Sequence, residues 1–134
     1  MQWSPEQNAG FTTGRPWLPV ADDYRVLNVE DERDDPRSML TLYRRLIALR
    51  RAEPALQIGR YEALPATGDL LAFVRAHGDR RFLVLLNLGP APCTFDCSER
   101  RGRIVLSTHV DRDDEEVVGS VALRGDEGVI IAIH

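Results

Sequence analysis

The stretch Asp35 to Arg51, DPRSMLTLYRRLIALRR, is the segment around which the remainder of this chain must fold. Asp35 can cap a helix, and Pro36 suits a first helical position, where a missing N–H costs nothing. Met39, Leu42, Tyr43, Leu46 and Ile47 recur at steps of three and four, with Leu49 nearby, so one apolar stripe is expected. Arg50 and Arg51 fall in the last turn, where the helix dipole favours cations, and Pro54 stops the helix. An irregular segment precedes this helix and a β pattern follows it. The stripe needs a partner surface in one of them or in a further layer.

Residues 1–34 hold Trp3, Phe11, Trp17, Leu18 and Val20 among Pro5, Gly10, Gly14, Pro16 and Pro19. No period of 2 or 3.6 runs through them, although Val29 to Arg33 can form a short helical turn. A long irregular segment carrying two tryptophans is uncommon in a compact domain, and is generally functional or anchored to another surface.

From Gly59 the pattern turns to strands. Arg60 to Leu64, Leu70 to His77 and Arg80 to Leu88 come first, the last two joined as a hairpin by Gly78-Asp79. Arg80 to Leu88 is apolar on both alternating faces, which places it centrally in a sheet covered on both sides. A short strand Cys93 to Asp96, then Arg103 to Thr108, Val121 to Arg124 and Val129 to Ile133 complete the set. Six to eight strands at this spacing suggest an antiparallel sandwich or Greek-key sheet. The fold class expected is therefore mainly β with one long helix.

At 134 residues one domain is the default, with enough chain for a substantial core. Seventeen positive and 21 negative residues give a net charge of −4, which excludes a broad basic field and with it nucleic acid or an acidic membrane surface as natural partners. All the positive side chains are arginine. Two cysteines are too few for a disulfide scaffold, and no apolar run is long enough to cross a membrane. These features suit a cytoplasmic protein.

The residues offer no catalytic constellation. Asp22-Asp23, Glu30-Asp31-Glu32 and Asp34-Asp35 suit caps and helix-dipole partners. Asp111 to Glu116 alternates oxygens like a calcium loop but holds Glu116 where the sharp turn needs glycine, so it reads as a solvated loop. His77, His109 and His134 stand apart, Cys93 and Cys97 lack a zinc or redox spacing, and Ser107-Thr108-His109 has no nucleophile elbow. No metal or cofactor is implied. Trp3, Phe11 and Trp17 are the aromatic groups available to stack on a sugar or to pack against a neighbouring surface.

An ordered set of motifs adds to this reading: Met1-Gln2-Trp3, Asn8-Ala9-Gly10-Phe11-Thr12, Pro16-Trp17-Leu18-Pro19-Val20, Asn28-Val29, Asp35-Pro36 through Arg51, Pro54-Ala55-Leu56 and Gly59-Arg60-Tyr61. It resembles the C-terminal part of α-glucosidases of glycoside hydrolase family 13, the oligo-1,6-glucosidase and trehalose-synthase-like branch of the α-amylase superfamily. The resemblance implies that residues 1–58 are the last loop and last helix of a (β/α)8 barrel. It implies that residues 59–134 are an antiparallel Greek-key β-sandwich domain following that barrel. Gln2, Trp3 and Phe11 would then lie at the rim of the sugar pocket. The family's nucleophilic Asp, acid/base Glu and third Asp would all lie upstream, so no catalytic residue carries over and Met1 matches an internal methionine of the family motif. The function implied is that of a retaining α-glucosidase acting on short α-linked oligosaccharides, silent without its carboxylates but able to dock on a catalytic barrel. The alternative is a non-catalytic carbohydrate-binding or scaffolding β domain.

Overall fold

The structure is a computed structural model describing residues 1–134. It forms two compact units, Met1–Arg44 and Arg45–His134.

The first unit is loop-rich. It carries α1 (Val29–Asp34), where the short helical turn was expected, and the start of α2 (Met39–Ala52). Asn28 caps α1: its side-chain oxygen accepts from the Asp31 amide at 3.0 Å, satisfying a donor that the first turn leaves free. The next two free donors bind the incoming chain, the Val29 amide to the Gln2 carbonyl at 2.9 Å and the Glu30 amide to the Trp3 carbonyl at 3.0 Å. The long helix begins at Met39 rather than at Asp35. Ser38 is its cap, accepting from the Thr41 amide at 3.1 Å. Asp35 instead closes a separate turn by accepting from the Arg37 amide at 2.8 Å. The nearer cap wins because its hydroxyl also donates to the Glu32 carbonyl at 2.7 Å, tying the helix start to α1.

The expected stripe of α2 is only partly covered. Leu42 is buried, whereas Met39, Tyr43 and Ile47, one helical turn apart, are each about half exposed or more. Pro54 ends α2 and serves as the first residue of α3 (Pro54–Gln57), a role its fixed φ suits.

The second unit is a six-stranded, wholly antiparallel sheet: β1 (Arg60–Ala63), β2 (Leu70–His77), β3 (Arg80–Asn87), β4 (Cys93–Ser107), β5 (Glu116–Leu123) and β6 (Gly128–Ile133). The spatial order is β1-β2-β3-β6-β4-β5. β3 is central, as its doubly apolar pattern predicts. Leu83 and Leu85 are fully buried on one face among residues of β2, β4, β5 and β6, while Phe82 packs on the other with Ala55 and Leu56 of α3, against which Leu49 of α2 also lies. Full burial of one such side chain is worth about 1.5–3 kcal/mol. The two strands expected over Cys93 to Asp96 and Arg103 to Thr108 are one strand, β4. Its pairing with β5 slips between Cys97 and Arg101, so the polar run Ser98-Glu99-Arg100 is a bulge within the strand rather than a loop.

Candidate functional site

The residues with the chemistry of a binding site lie in the first unit. Its loop closes tightly at residues 3–10: the Trp3 and Ser4 amides both donate to the Ala9 carbonyl, at 2.9 and 3.2 Å. This turn needs three successive left-handed residues, Asn8, Ala9 and Gly10, at φ of 56°, 55° and 64°. Asparagine and glycine visit that region readily; Ala9 is held there by full burial. A side chain at Gly10 would also meet the Ser4 hydroxyl at 2.5 Å.

The loop so folded encloses a cleft of about 450 Å³, lined among others by Gln2, Asn8, Phe11, Trp17, Leu18 and Pro19. Of the three rim residues inferred from sequence, the structure brings Gln2 and Phe11 to this cleft. Trp3 is half exposed and outside the lining, and Trp17, 85% exposed, is the tryptophan beside Phe11. The Gln2 amide nitrogen donates to the Asp23 carboxylate at 2.8 Å, and that of Asn8 to the carbonyls of Thr12 at 3.1 Å and Gly14 at 3.0 Å. Asn8, Leu18 and Pro19 were missed as lining residues. The available signal was Asn8-Ala9-Gly10, a tripeptide suited to positive φ.

No carboxylate, imidazole, thiol or guanidinium lines the cleft. Two carboxyl groups flanking a scissile bond, which glycoside hydrolysis requires, are thus not assembled there. Acidic residues elsewhere in the first unit serve as caps and anchors: Asp31 accepts from the Asn28 side-chain amide, Glu32 from the Leu40 backbone, and Asp35 from the Arg37 backbone. No three His, Cys, Asp or Glu side chains converge in an arrangement that could hold a metal ion. Cys93 and Cys97 are free thiols, and burial pushes the Cys97 thiol upward in pKa, away from the reactive thiolate.

The perturbed titratable groups lie in the second unit and tie loops together. Glu127, in the turn between β5 and β6, is buried. It accepts from the Arg124 backbone at 2.8 Å and from the Arg124 guanidinium at 2.7 Å, with Arg112 at 3.3 Å. Burial alone pushes its carboxyl up, but the hydrogen bonds from Arg124 and the charge of Arg112 outweigh this, and the net direction is down. Hydrogen bonding to Arg124 holds Asp111 at about 2, and Arg112 likewise lowers Glu115. The run Asp111 to Glu116, expected to be simply solvated, is thereby partly pinned. Asn87 joins this assembly, donating to the carbonyls of Ala91 at 2.7 Å and Arg124 at 2.8 Å.

Residues 1–59 match the family model of the α-amylase catalytic domain. The chain is 40% identical over 88 residues to a glucan 1,6-alpha-glucosidase of Streptococcus pneumoniae, covering 66% of this chain and 16% of that protein. It is 34% identical over 136 aligned positions to an oligo-1,6-glucosidase of Bacillus cereus, covering 99% and 24% respectively. A trehalose-6-phosphate hydrolase of Escherichia coli is 37% identical over 110 residues, 81% of this chain and 20% of that one. Among solved structures, isomaltulose synthase from Klebsiella sp. LX3 superposes with a TM-score of 0.90 at 28% identity, over 99% of this chain and 24% of its own. The chain belongs to the α-amylase family of glycoside hydrolases, family 13, in its oligo-1,6-glucosidase and trehalose-synthase-like branch. It spans between 16% and 24% of the length of the curated relatives described.

Proposed function

We propose that this chain serves an α-glucosidase acting on the α-glucosidic bonds of short oligosaccharides. In this reading residues 1–58 supply the last loop and last helix of a (β/α)8 catalytic barrel, with Gln2, Trp3 and Phe11 at the pocket rim. Residues 59–134 form the Greek-key β-sandwich domain that follows it. The observation carrying the proposal is the superposition over 99% of the chain on an isomaltulose synthase four times its length. The β-sandwich assignment draws support from Leu64, after β1, packing on the same core cluster as Phe95 and Cys97 of β4.

The chemistry is that of a retaining enzyme, one carboxylate attacking the sugar and a second acting as acid and then base. Both would come from sequence outside these 134 residues, because the cleft offers neither. The chain alone is therefore inactive and meets its α-linked oligosaccharide through the barrel of the parent enzyme, with docking to a catalytic barrel the route open to the separate chain. Two free thiols suit a reducing cytoplasm.

The test is hydrolysis of p-nitrophenyl α-glucoside by the purified chain, alone and after fusion to the codons preceding Met1. No turnover alone and turnover in the fusion is the expected result. Activity that stays with the isolated chain through successive columns overturns the proposal. An in-frame stop directly before Met1, together with sugar binding, would favour the alternative of a non-catalytic carbohydrate-binding or scaffolding domain.

A further inference from the structure

We infer that the open edge of β1 pairs with β1 of a second copy of this chain, across a two-fold axis at Tyr61, so that two six-stranded sheets join into one. The inference concerns the second unit and stands apart from the sugar-pocket reading. The sheet ends in two edges, β1 and β5, and they are built differently. β5 is interrupted: Gly119 stands at φ 79° beside the slip in its pairing with β4, and the Arg112 guanidinium donates to the Ala122 carbonyl at 2.9 Å. A bulge and a covering charged side chain both keep an edge from pairing. β1 carries neither. It keeps an unbroken register with β2 from Arg60 to Ala63, contains no proline, and has all of its residues exposed.

Backbone geometry and charge together select the occupant and the register. The Leu64 amide donates to the Ala72 carbonyl at 2.9 Å. By antiparallel alternation Arg60, Glu62 and Leu64 therefore turn their backbone groups to β2, while Tyr61 and Ala63 turn theirs to the open side. The Gly59 carbonyl, next on that side, is held by the Arg75 guanidinium at 3.0 Å, but its amide is free. A two-fold axis at Tyr61 lets each Tyr61 amide donate to the other's carbonyl, and each Gly59 amide to the Ala63 carbonyl of the second copy. The same axis sets Arg60 opposite Glu62 of the second copy, twice over by symmetry, at the roughly 4.5–5.5 Å Cβ separation of directly facing residues. Axes at Arg60 or at Glu62 would set like charges against each other. Neither side chain has an ion-pair partner within the chain. On the other face of the strand Tyr61, half exposed and 5.2 Å from Phe73 between ring centroids, meets its own copy as a cross-strand aromatic pair. An edge of 4 residues makes a small interface, so the dimer is weak and reversible.

Sedimentation equilibrium of the 134-residue chain, from about 10 μM to about 1 mM, tests the inference. The expected result is a reversible equilibrium between monomer and dimer. Arg60→Glu and Glu62→Arg, both at exposed positions, should each weaken the dimer by about tenfold or more, because each turns two facing pairs from attraction to repulsion. Combining them restores opposite charges, so R60E/E62R should return to within about threefold of wild type. Hydrogen exchange gives an arm that needs no substitution. The Tyr61 amide should exchange more slowly as concentration rises, whereas the Glu62 amide, already paired with β2, should change little. A monomer at every concentration overturns the inference, as does Tyr61 exchange that ignores concentration. A dimer that survives both single reversals belongs to another surface and overturns it too. So does a double variant that stays dissociated.

Discussion

Replacing Glu127 by alanine is expected to be the most damaging single loss of charge in the second unit. The side chain has no exposed surface and accepts from the Arg124 amide, the Arg124 guanidinium and Arg112. Removing one partner of a fully buried ion pair costs about 3–5 kcal/mol, because the other charge is left stranded. Here the stranded charges are partly relieved. Arg124 is 44% exposed and keeps Asp111 at 2.7 Å; Arg112 is 15% exposed and keeps Glu115 at 2.6 Å. The orphaned Arg124 amide remains. The expected loss for E127A is therefore about 2–3 kcal/mol, and for E127Q, which retains an acceptor but no charge, about 1–2 kcal/mol. Asp111→Asn removes a pair whose members are both more than a third exposed and should cost less than about 1 kcal/mol. Urea unfolding at pH 7 measures all three, and an unchanged slope certifies that the midpoint shift is a stability change. A smaller shift for E127A than for D111N would refute the argument from burial. Acid gives a second arm. The folded-state pKa of Glu127 lies below its ordinary 4.5, so its contribution is complete above that value and disappears as pH falls through the lowered one. The gap between wild type and E127A should stay constant from pH 8 to about 5 and narrow progressively as pH falls below 4.5.

Other substitutions test separate parts of the account. Leu85→Ala, at a fully buried position of β3, should cost about 2–5 kcal/mol in the same assay; a loss below about 1 kcal/mol would mean that the face of β3 carrying Leu83 and Leu85 is not the core. Gly125→Ala would set its new carbon 2.0 Å from the Pro90 carbonyl oxygen and should destabilise by about 1–3 kcal/mol, whereas a neutral result would show that the turn yields freely. Ser38→Ala should lower stability by about 1 kcal/mol and helicity by circular dichroism, with Asp35→Ala milder; the reverse order would restore the helix start to Asp35.

The strands and the central place of β3 were legible because alternation and doubled apolar character report directly on sheet faces. Three features were not. The helix start was misplaced because Asp35-Pro36 and Ser38 are both acceptable starts, and the choice depends on the Ser38 hydroxyl reaching Glu32, a contact with another helix. β4 was split because a bulge and a loop have the same polar composition, Ser98-Glu99-Arg100. The burial of Glu127 was not legible because a carboxylate between two strands ordinarily faces water, and Arg112, one of its two partners, reaches it only in the folded sheet. The cleft was half legible: aromatic residues among prolines and glycines marked the segment, but which ring faces inward depends on the left-handed turn at Asn8 to Gly10.

The place of β6 has a consequence for how the protein is made. Of the six strands, residues 128–133 are made last, yet they lie between β3 and β4 and pair with both. Until they emerge, β1-β2-β3 and β4-β5 exist as two separate pieces, each with an open edge and a bare apolar face. Sheet closure in the second unit therefore waits for β6. The interval before it is when a nascent chain of this kind is most exposed to aggregation, and when a chaperone has something to hold.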